Sequence, residues 1–412
     1  MTEKARDKVW LTTKNPAIIF EDNTVGHLKK RLWDAPESEI DRILADYGIP
    51  AAPELGKAGS YIQTTVRNEV IKNRRKNDIV LIPVGCTENH GVHTVSGLDT
   101  FMVTQIAEGV RRYTAKQGKP INLALPPLNY GGHPYHHLGM AGTVIMPEEV
   151  VRETIIYMML GLWNDGFRKQ IIINNHGQLW MLESALQEFM KRYHLPGIFR
   201  VLDWHRAVRE FFYPTDDDLS LDSHFIHADE AETSVGLLLF PQGMVDMSVV
   251  QDAEGRSYLP DGHFDKSVDP FRRPHRWSEG EGQSPIERAA TPQGVVGQPS
   301  LATARKAKRP IAAILQYLTL VNDQILEAFP AGKVPPVEET TLRTAKDMEP
   351  FLREPMSEGW KSVYELPRIG FWRDLDRDDE VYRHLDPGRP FFGPCRQGES
   401  PGQHPKSGRT GL

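Results

Sequence analysis

The sequence predicts an α/β protein with a three-layer α/β/α architecture on a mostly parallel sheet. Three observations carry this. A short, continuously apolar run at 78–85 has the character of a strand buried on both faces, and apolar-centred stretches at 122–125, 169–174 and 198–202 are further strand candidates. Helical segments alternate with them, as in βαβ units. Clusters of Glu, Asp and His follow two of the runs directly, where ligands bind in open α/β sheets.

Taken in order, residues 1–75 form an N-terminal extension with short elements of its own. Residues 38–47 read as an amphipathic helix, with Ser38 as its cap and Ile40, Ile43 and Leu44 on one face. The Gly- and Pro-containing stretch 48–53 then breaks the chain. A core domain spans 76–335. Its first strand, 78–85, leads to a helix over 99–114 that turns Phe101, Met102, Ile106 and Val110 inward. After the strand at 122–125 comes an apolar helix, 148–163, with Gly166 suited to the left-handed position beyond its end. The clearest strand is 169–174, centred on Ile171, Ile172 and Ile173. A helix over 182–193, a strand over 198–202 and helices over 230–240 and 300–329 complete the domain. An insertion at about 252–298 reads as a loop over the site mouth or a neighbouring subunit. Residues 336–412 form an irregular C-terminal extension whose tail, from 398, reads as disordered.

Composition removes several function classes. Lys and Arg total 49 against 55 Asp and Glu, a net charge of -6 with no basic stripe, so nucleic acid is not an expected partner. The basic stretch at 72–76 reads as a solvated helix face. Two cysteines, Cys86 and Cys395, cannot make a disulfide framework. The N-terminus lacks a signal-peptide core, and the longest apolar stretch is far short of the roughly 20 residues that span a bilayer. A cytoplasmic protein with no membrane partner is expected.

Four polar clusters carry chemistry. In the first, Glu88 and His90 alternate around Asn89 and project the same way from an extended segment, and Asp99 follows at the start of the next helix. That set suits Zn2+ or Mn2+; the competing reading is a capping Asp99 among ordinary loop residues. The second, Asn174-Asn175-His176-Gly177-Gln178, also follows a strand, and a lone satisfied histidine is its plain alternative. The third runs from His227 to Ser234. Helix-dipole stabilisation accounts for Asp229 and Glu230 there, but less readily for Glu232 and not for His227. The fourth, Asn129-Tyr130-Gly131-Gly132-His133-Pro134-Tyr135-His136-His137, would line a polar pocket, or else form a surface loop or a subunit contact.

Taken in chain order, the clusters resemble the creatininase-like, or creatinine amidohydrolase, family. Its pattern is PVGSxEQHGPH, then GxD, then GxSxEHxxFPGT, then GFRxIxxxNGHGGN, then HAGExETS. The counterparts here begin at Pro83, Gly97, Gly132, Gly166 and His227 and extend over about residues 78–250. The resemblance implies a small-molecule hydrolase holding two divalent ions, Zn2+ and/or Mn2+, in a homo-oligomer that is typically a hexamer. By position, Glu88 and His176 would hold one ion, His90 the other, with Asp99 between them and His227 as the catalytic histidine. Where creatininase has a second-site glutamate this chain has Gln178, so either Glu232 completes that site or the site is weak. Pro134 and His136 replace the Ser and Glu of the loop pattern, which argues against creatinine as substrate.

The CTENHG and NYGGHPYHH wording and the long extensions are most similar to one branch of the family. That branch opens an inositol-derived cyclic diketone of the 3-dehydro-scyllo-inosose type by hydrolytic carbon–carbon cleavage, a step of inositol catabolism. Asn129, Tyr130, His133, Tyr135, His136 and Trp180, with Gly177 and Gln178 beside them, are the candidate substrate-binding residues. Glu230 and His136 are candidates to assist His227 as acid or base. A cyclic-amide or formamide hydrolase and a non-catalytic scaffold remain the alternatives. A nicotinamide enzyme is disfavoured, because no G-x-G-x-x-G follows the first strand.

Overall fold

The computed structural model describes residues 10–124, 128–132, 139–212, 219–221, 225–253 and 294–366. Most of the 252–298 insertion and the tail beyond 366 lie outside the described residues.

A two-stranded antiparallel hairpin opens the chain, β1 (Trp10–Thr12) against β2 (Ile19–Glu21), with Leu11 opposite Phe20. Two helices follow, α1 (Thr24–Asp34) and α2 (Glu37–Tyr47), then α3 (Arg67–Arg74). The central part runs β3 (Ile79–Val84), α4 (Leu98–Lys116), β4 (Asn122–Leu123), α5 (Glu148–Asn164), β5 (Lys169–Asn174), α6 (Leu179–Tyr193) and β6 (Ile198–Asp203). A short α7 (Trp204–Ala207) leads on to α8 (Glu230–Leu239) and the long α9 (Ala304–Ala328). The last described helices are α10 (Val337–Thr340) and α11 (Ala345–Leu352).

β4, β3, β5 and β6 lie side by side in that order as one parallel sheet. Every residue of β3 and β5 is buried, because side chains alternate across the sheet and helices cover both faces. Ile79 and Leu81 of β3 join Ile171 and Ile173 of β5 in the layer that holds α1, α2, α4, α8 and α9. Val80, Ile82 and Val84 join Ile172 in the opposite layer, with α5, α6 and α11. Burying each such aliphatic side chain stabilises the fold by about 1.5–3 kcal/mol. This is the expected three-layer arrangement.

The layering also locates the crevice. The chain leaves β3 into α4 on one face and leaves β5 into α6 on the other, so the two loops diverge where the strands end together. Val84, Asn174 and Asp203 stand level in the register. Such a divergence at the carboxyl ends of parallel strands is where open α/β sheets place ligands.

Several boundaries differ from the sequence reading. α2 begins at Glu37, with Pro36 in the cap position and no side-chain cap; Ser38 therefore sits inside the first turn. α6 begins at Leu179 rather than 182, and α9 at Ala304 after a 3-10 turn over Pro299–Leu301. The segment expected to be irregular beyond 336 contains α10 and α11, whose Met348 and Phe351, one turn apart, are buried in the α5–α6 layer. Arg168 fastens it by donating to the carbonyls of Leu352 and Phe351. At the N-terminal side, α2 enters the opposite layer: Tyr47 stacks on Tyr113 at 4.3 Å and pairs its hydroxyl with Thr319.

The end of the sheet away from the crevice is closed by a buried ion pair. Lys169 Nζ donates to Asp78 Oδ1 and the carbonyl of Phe329, both at 2.7 Å. No helix among the described residues is long and apolar enough to cross a membrane.

Candidate metal centre

The loop after β3 begins at Gly85. A Cβ there would lie 2.5 Å from the backbone of Thr100, so only glycine lets this loop rest on the first turn of α4. The close approach sets Cys86 and Glu88 beside Asp99. Further along, Glu88 donates its amide to Ser96 O at 2.9 Å. His90 then turns back, with Nδ1 3.2 Å from the carbonyl of Glu88. A proton on Nδ1 would satisfy that carbonyl, and Nε2, aimed into the crevice, could then serve as a ligand once an ion displaces its proton.

Nε2 of His90 has no hydrogen-bond partner and faces three carboxylates: Glu88 and Asp99 at 3.5 Å, Glu232 at 3.7 Å. From the end of β5, His176 brings Nδ1 to 2.9 Å from Glu88 Oε1 and 3.4 Å from Asp99 Oδ2. The two oxygens of Asp99 thus face different histidines, Oδ1 towards His90 and Oδ2 towards His176. All of these residues, with His227, are at most 4% exposed.

α8 delivers the last members. Asp229 caps the helix, accepting from Glu232 N at 2.9 Å, and Glu232 Oε2 reaches back to accept from Ala228 N at 2.5 Å. The bond to Ala228 N, just before the capping residue, holds the Glu232 carboxylate at the helix start, facing His90. His227 stacks on His90 with ring centroids 4.3 Å apart. Its Nε2 lies 2.6 Å from Asn89 O, and its Nδ1 is 3.9 Å from Glu88 Oε1.

Three buried carboxylates in one place are costly without positive charge. Burial disfavours the imidazolium of His90, but Asp99, Glu88 and Glu232 outweigh it and raise His90 to about 10. Burial pushes the Glu232 carboxyl well up, with His90 the positive group that counters it and Asp99 and Asp229 adding to the rise. Divalent cations answer this arrangement. Cys86, Glu88, Asp99 and His176 can bring one donor atom each within 4.8 Å of one another, as can His90, Asp99 and Glu232, and also Glu88, His90 and His227. Carboxylate and imidazole donors in this mixture suit Zn2+ or Mn2+.

Other residues singled out in the sequence are placed differently. Glu230, a candidate acid or base, is not brought to the cluster; its carboxylate pairs with Lys306 of α9. Gln178 is fully buried with its amide committed to the scaffold, so it does not present a free group to a substrate. Gly177 is exposed and Trp180 half-buried at the start of α6. Asn129 and Tyr130 are exposed on the loop after β4. His133, Tyr135 and His136 lie outside the described residues.

Further residues, to which the sequence assigns no ligand role, support the cluster. Asn175 donates to Asp99 Oδ1 at 2.7 Å, and Cys86 Sγ lies 2.8 Å from Oδ2. Trp204 Nε1 donates to Asn175. His93 packs behind α8, with Nε2 3.0 Å from the hydroxyl of Thr233. The doubled asparagine directly after a buried strand was the available signal for Asn175; for Trp204 there was none.

Residues 64–321 match the family model described as creatininase, creatinine amidohydrolase. The chain is 41% identical over 306 residues to the 3-dehydro-scyllo-inosose hydrolase of Thermotoga maritima, covering 74% of this chain and 96% of that protein. To the creatinine amidohydrolase of Pseudomonas putida it is 27% identical over 212 residues, covering 48% and 76% respectively. A solved creatinine amidohydrolase (creatininase) superposes with a TM-score of 0.48 at 20% identity, covering 67% of this chain and 99% of its own. A manganese form of creatininase gives 0.47 at 20% identity, covering 66% and 100%. With the family pattern matched over residues 64–321 and a 41% identical relative spanning most of both chains, this chain belongs to the creatininase family.

Proposed function

We propose that the protein is a metal-dependent hydrolase that opens a cyclic polyhydroxylated diketone of the 3-dehydro-scyllo-inosose type by hydrolytic carbon–carbon cleavage. The observation that carries this is 41% identity across 96% of a relative bearing that activity in its name. The buried carboxylate and histidine cluster supports it. The creatininase resemblance is weaker, at 27% identity over about half of the chain. The neutral Gln178 also separates this site from an amide hydrolase that uses a glutamate there.

In this reading Glu88 and His176 hold one ion, His90 and Glu232 the other, and Asp99 lies between. When bound, two divalent ions, Zn2+ or Mn2+, supply Lewis acidity at a carbonyl oxygen and lower the pKa of a water to about 7. The protein supplies the rest. His227, with its Nε2 proton committed to Asn89 O, turns Nδ1 towards the cluster and accepts the proton released as water adds to a ring carbonyl. The bond to the neighbouring α-carbon then breaks and its electron pair enters the second carbonyl as an enolate. His227 returns the proton to that carbon. One water is consumed and one ring bond opens to a keto acid; a 1,3-diketone suits this route because no localised carbanion forms. A cytoplasmic homo-oligomer, hexameric by the family resemblance, belongs to the same proposal and is checked by light scattering.

The test is turnover of 3-dehydro-scyllo-inosose against creatinine, with protein stripped of metal and then reconstituted with Mn2+ or Zn2+. Metal-dependent loss of the diketone is expected. Turnover of creatinine alone would discard the carbon–carbon reading.

A further inference from the structure

The fully buried side chain of Gln178 stands where the strand ends meet the loop after β4. Its Nε2 donates to Gly85 O at 3.2 Å and to Asn174 Oδ1 at 3.1 Å, and its Oε1 accepts from Gly132 N at 3.1 Å. Asn174 in turn donates to Asp203 Oδ1 at 2.6 Å. One amide therefore joins the ends of β3 and β5, and through Asn174 that of β6, to the segment 128–132.

Both donor hydrogens of the amide are used, and they meet oxygens that only accept. A carboxylate here would set its oxygens against Gly85 O and Asn174 Oδ1, so the position is built for an amide. The loop is pressed closely onto it. A Cβ on Gly131 would lie 2.7 Å from Gln178 Oε1, 2.9 Å from Cys86 Cβ and 3.2 Å from His176 Cδ2. The backbone of Gly131 thus runs against the residues of the metal cluster. Just before it, Asn129 and Tyr130 are exposed, and Asn129 O accepts from the hydroxyl of Thr87 beside Glu88.

We propose that Gln178 is the positioning residue of this loop: it fixes where Asn129 and Tyr130 stand relative to the metal cluster, and so which ring the site accepts. The proposal rests on the functional reading above in taking the loop as substrate-facing and the cluster as a two-ion site. Gln178 binds neither ion, and the carboxylate of Glu232 serves the second site in its place.

Two variants of the full-length protein test this from opposite sides. Gln178→Met keeps the side chain's size but removes all three hydrogen bonds, and Gly131→Ala forces the loop off an intact Gln178. Both should retain two metal ions per chain by elemental analysis. Both should speed hydrogen exchange in the peptide covering 128–132 by about tenfold or more. With whichever substrate the native enzyme turns over, KM should rise about tenfold while kcat changes less than threefold. Loss of an ion in Gln178→Met, or a fall in kcat at constant KM, would overturn the proposal by making Gln178 part of the metal site or the chemistry. Unchanged exchange in both variants would overturn it by showing that the amide does not hold the loop. Metal content and exchange need no substrate, so they read this inference even if the diketone assignment fails.

Discussion

Asn175, just beyond β5, donates its side-chain amide to Asp99 Oδ1 in the first turn of α4 at 2.7 Å. It is itself oriented by the indole of Trp204, at the end of β6. The carboxylate that faces both His90 and His176 is thereby held by a residue with no direct role in binding an ion. Asn175→Ala should weaken metal binding about 10- to 100-fold, and Trp204→Phe should do so less. Calorimetric titration of stripped protein with Mn2+ or Zn2+ reads both.

The two oxygens of Asp99 face different histidines, Oδ1 towards His90 and Oδ2 towards His176. Asp99→Asn should leave at most one ion per chain by elemental analysis and abolish turnover. A variant with two ions and full activity would remove the metal assignment.

His227 is buried beside the cluster, its Nδ1 3.9 Å from Glu88 Oε1. His227→Ala should keep both ions and lose about 10²- to 10⁴-fold in kcat, the range for a missing acid–base group. If an ion is lost as well, the residue is a ligand, as its grouping with Glu88 and His90 would permit.

Removing the ions should also soften the fold. Glu88, Asp99 and Glu232 are buried together, and cations that bind only the folded state stabilise it by mass action, about 2.7 kcal/mol at a hundredfold excess over Kd. Differential scanning calorimetry should show a lower Tm after chelation, restored when metal is added back.

How much of this was legible in the sequence depends on the range of the interaction. β3 and β5 announce themselves by the apolar runs at their centres, Ile79–Ile82 and Ile171–Ile173, which a strand covered on both faces requires. Glu88, His90, Asp99 and His176 were visible because each follows directly from a strand end or opens a helix. The commitments made by partners distant in sequence were not. Glu230 looked like an acid or base until Lys306 was seen opposite it. Gln178 looked like a substrate contact until Gly85 and Gly132 were seen to claim its amide. α11 does set Ala345, Met348, Phe351 and Leu352 at helical spacing, but over only eight residues with Pro350 among them, so the signal is short and easily passed over.

The pair between Lys169 and Asp78 lies at the far end of the sheet, so it separates stability from function. Lys169→Met leaves Asp78 buried without its cation and should cost about 3–5 kcal/mol in urea unfolding. Metal content should be unchanged, because no cluster residue touches this pair.

The placement of α9 has a consequence for how the protein is made. This helix packs on α1, α2, α4 and α8, yet it leaves the ribosome long after all four. At about 5–20 residues per second, tens of seconds on the order of magnitude separate the emergence of α2 from that of α9. Throughout that interval Ile40, Ile43 and Leu44 lack the helix that finally covers them. The order of synthesis therefore leaves apolar surface uncovered for that interval, and a chain truncated before Ala304 should aggregate more readily than the full chain.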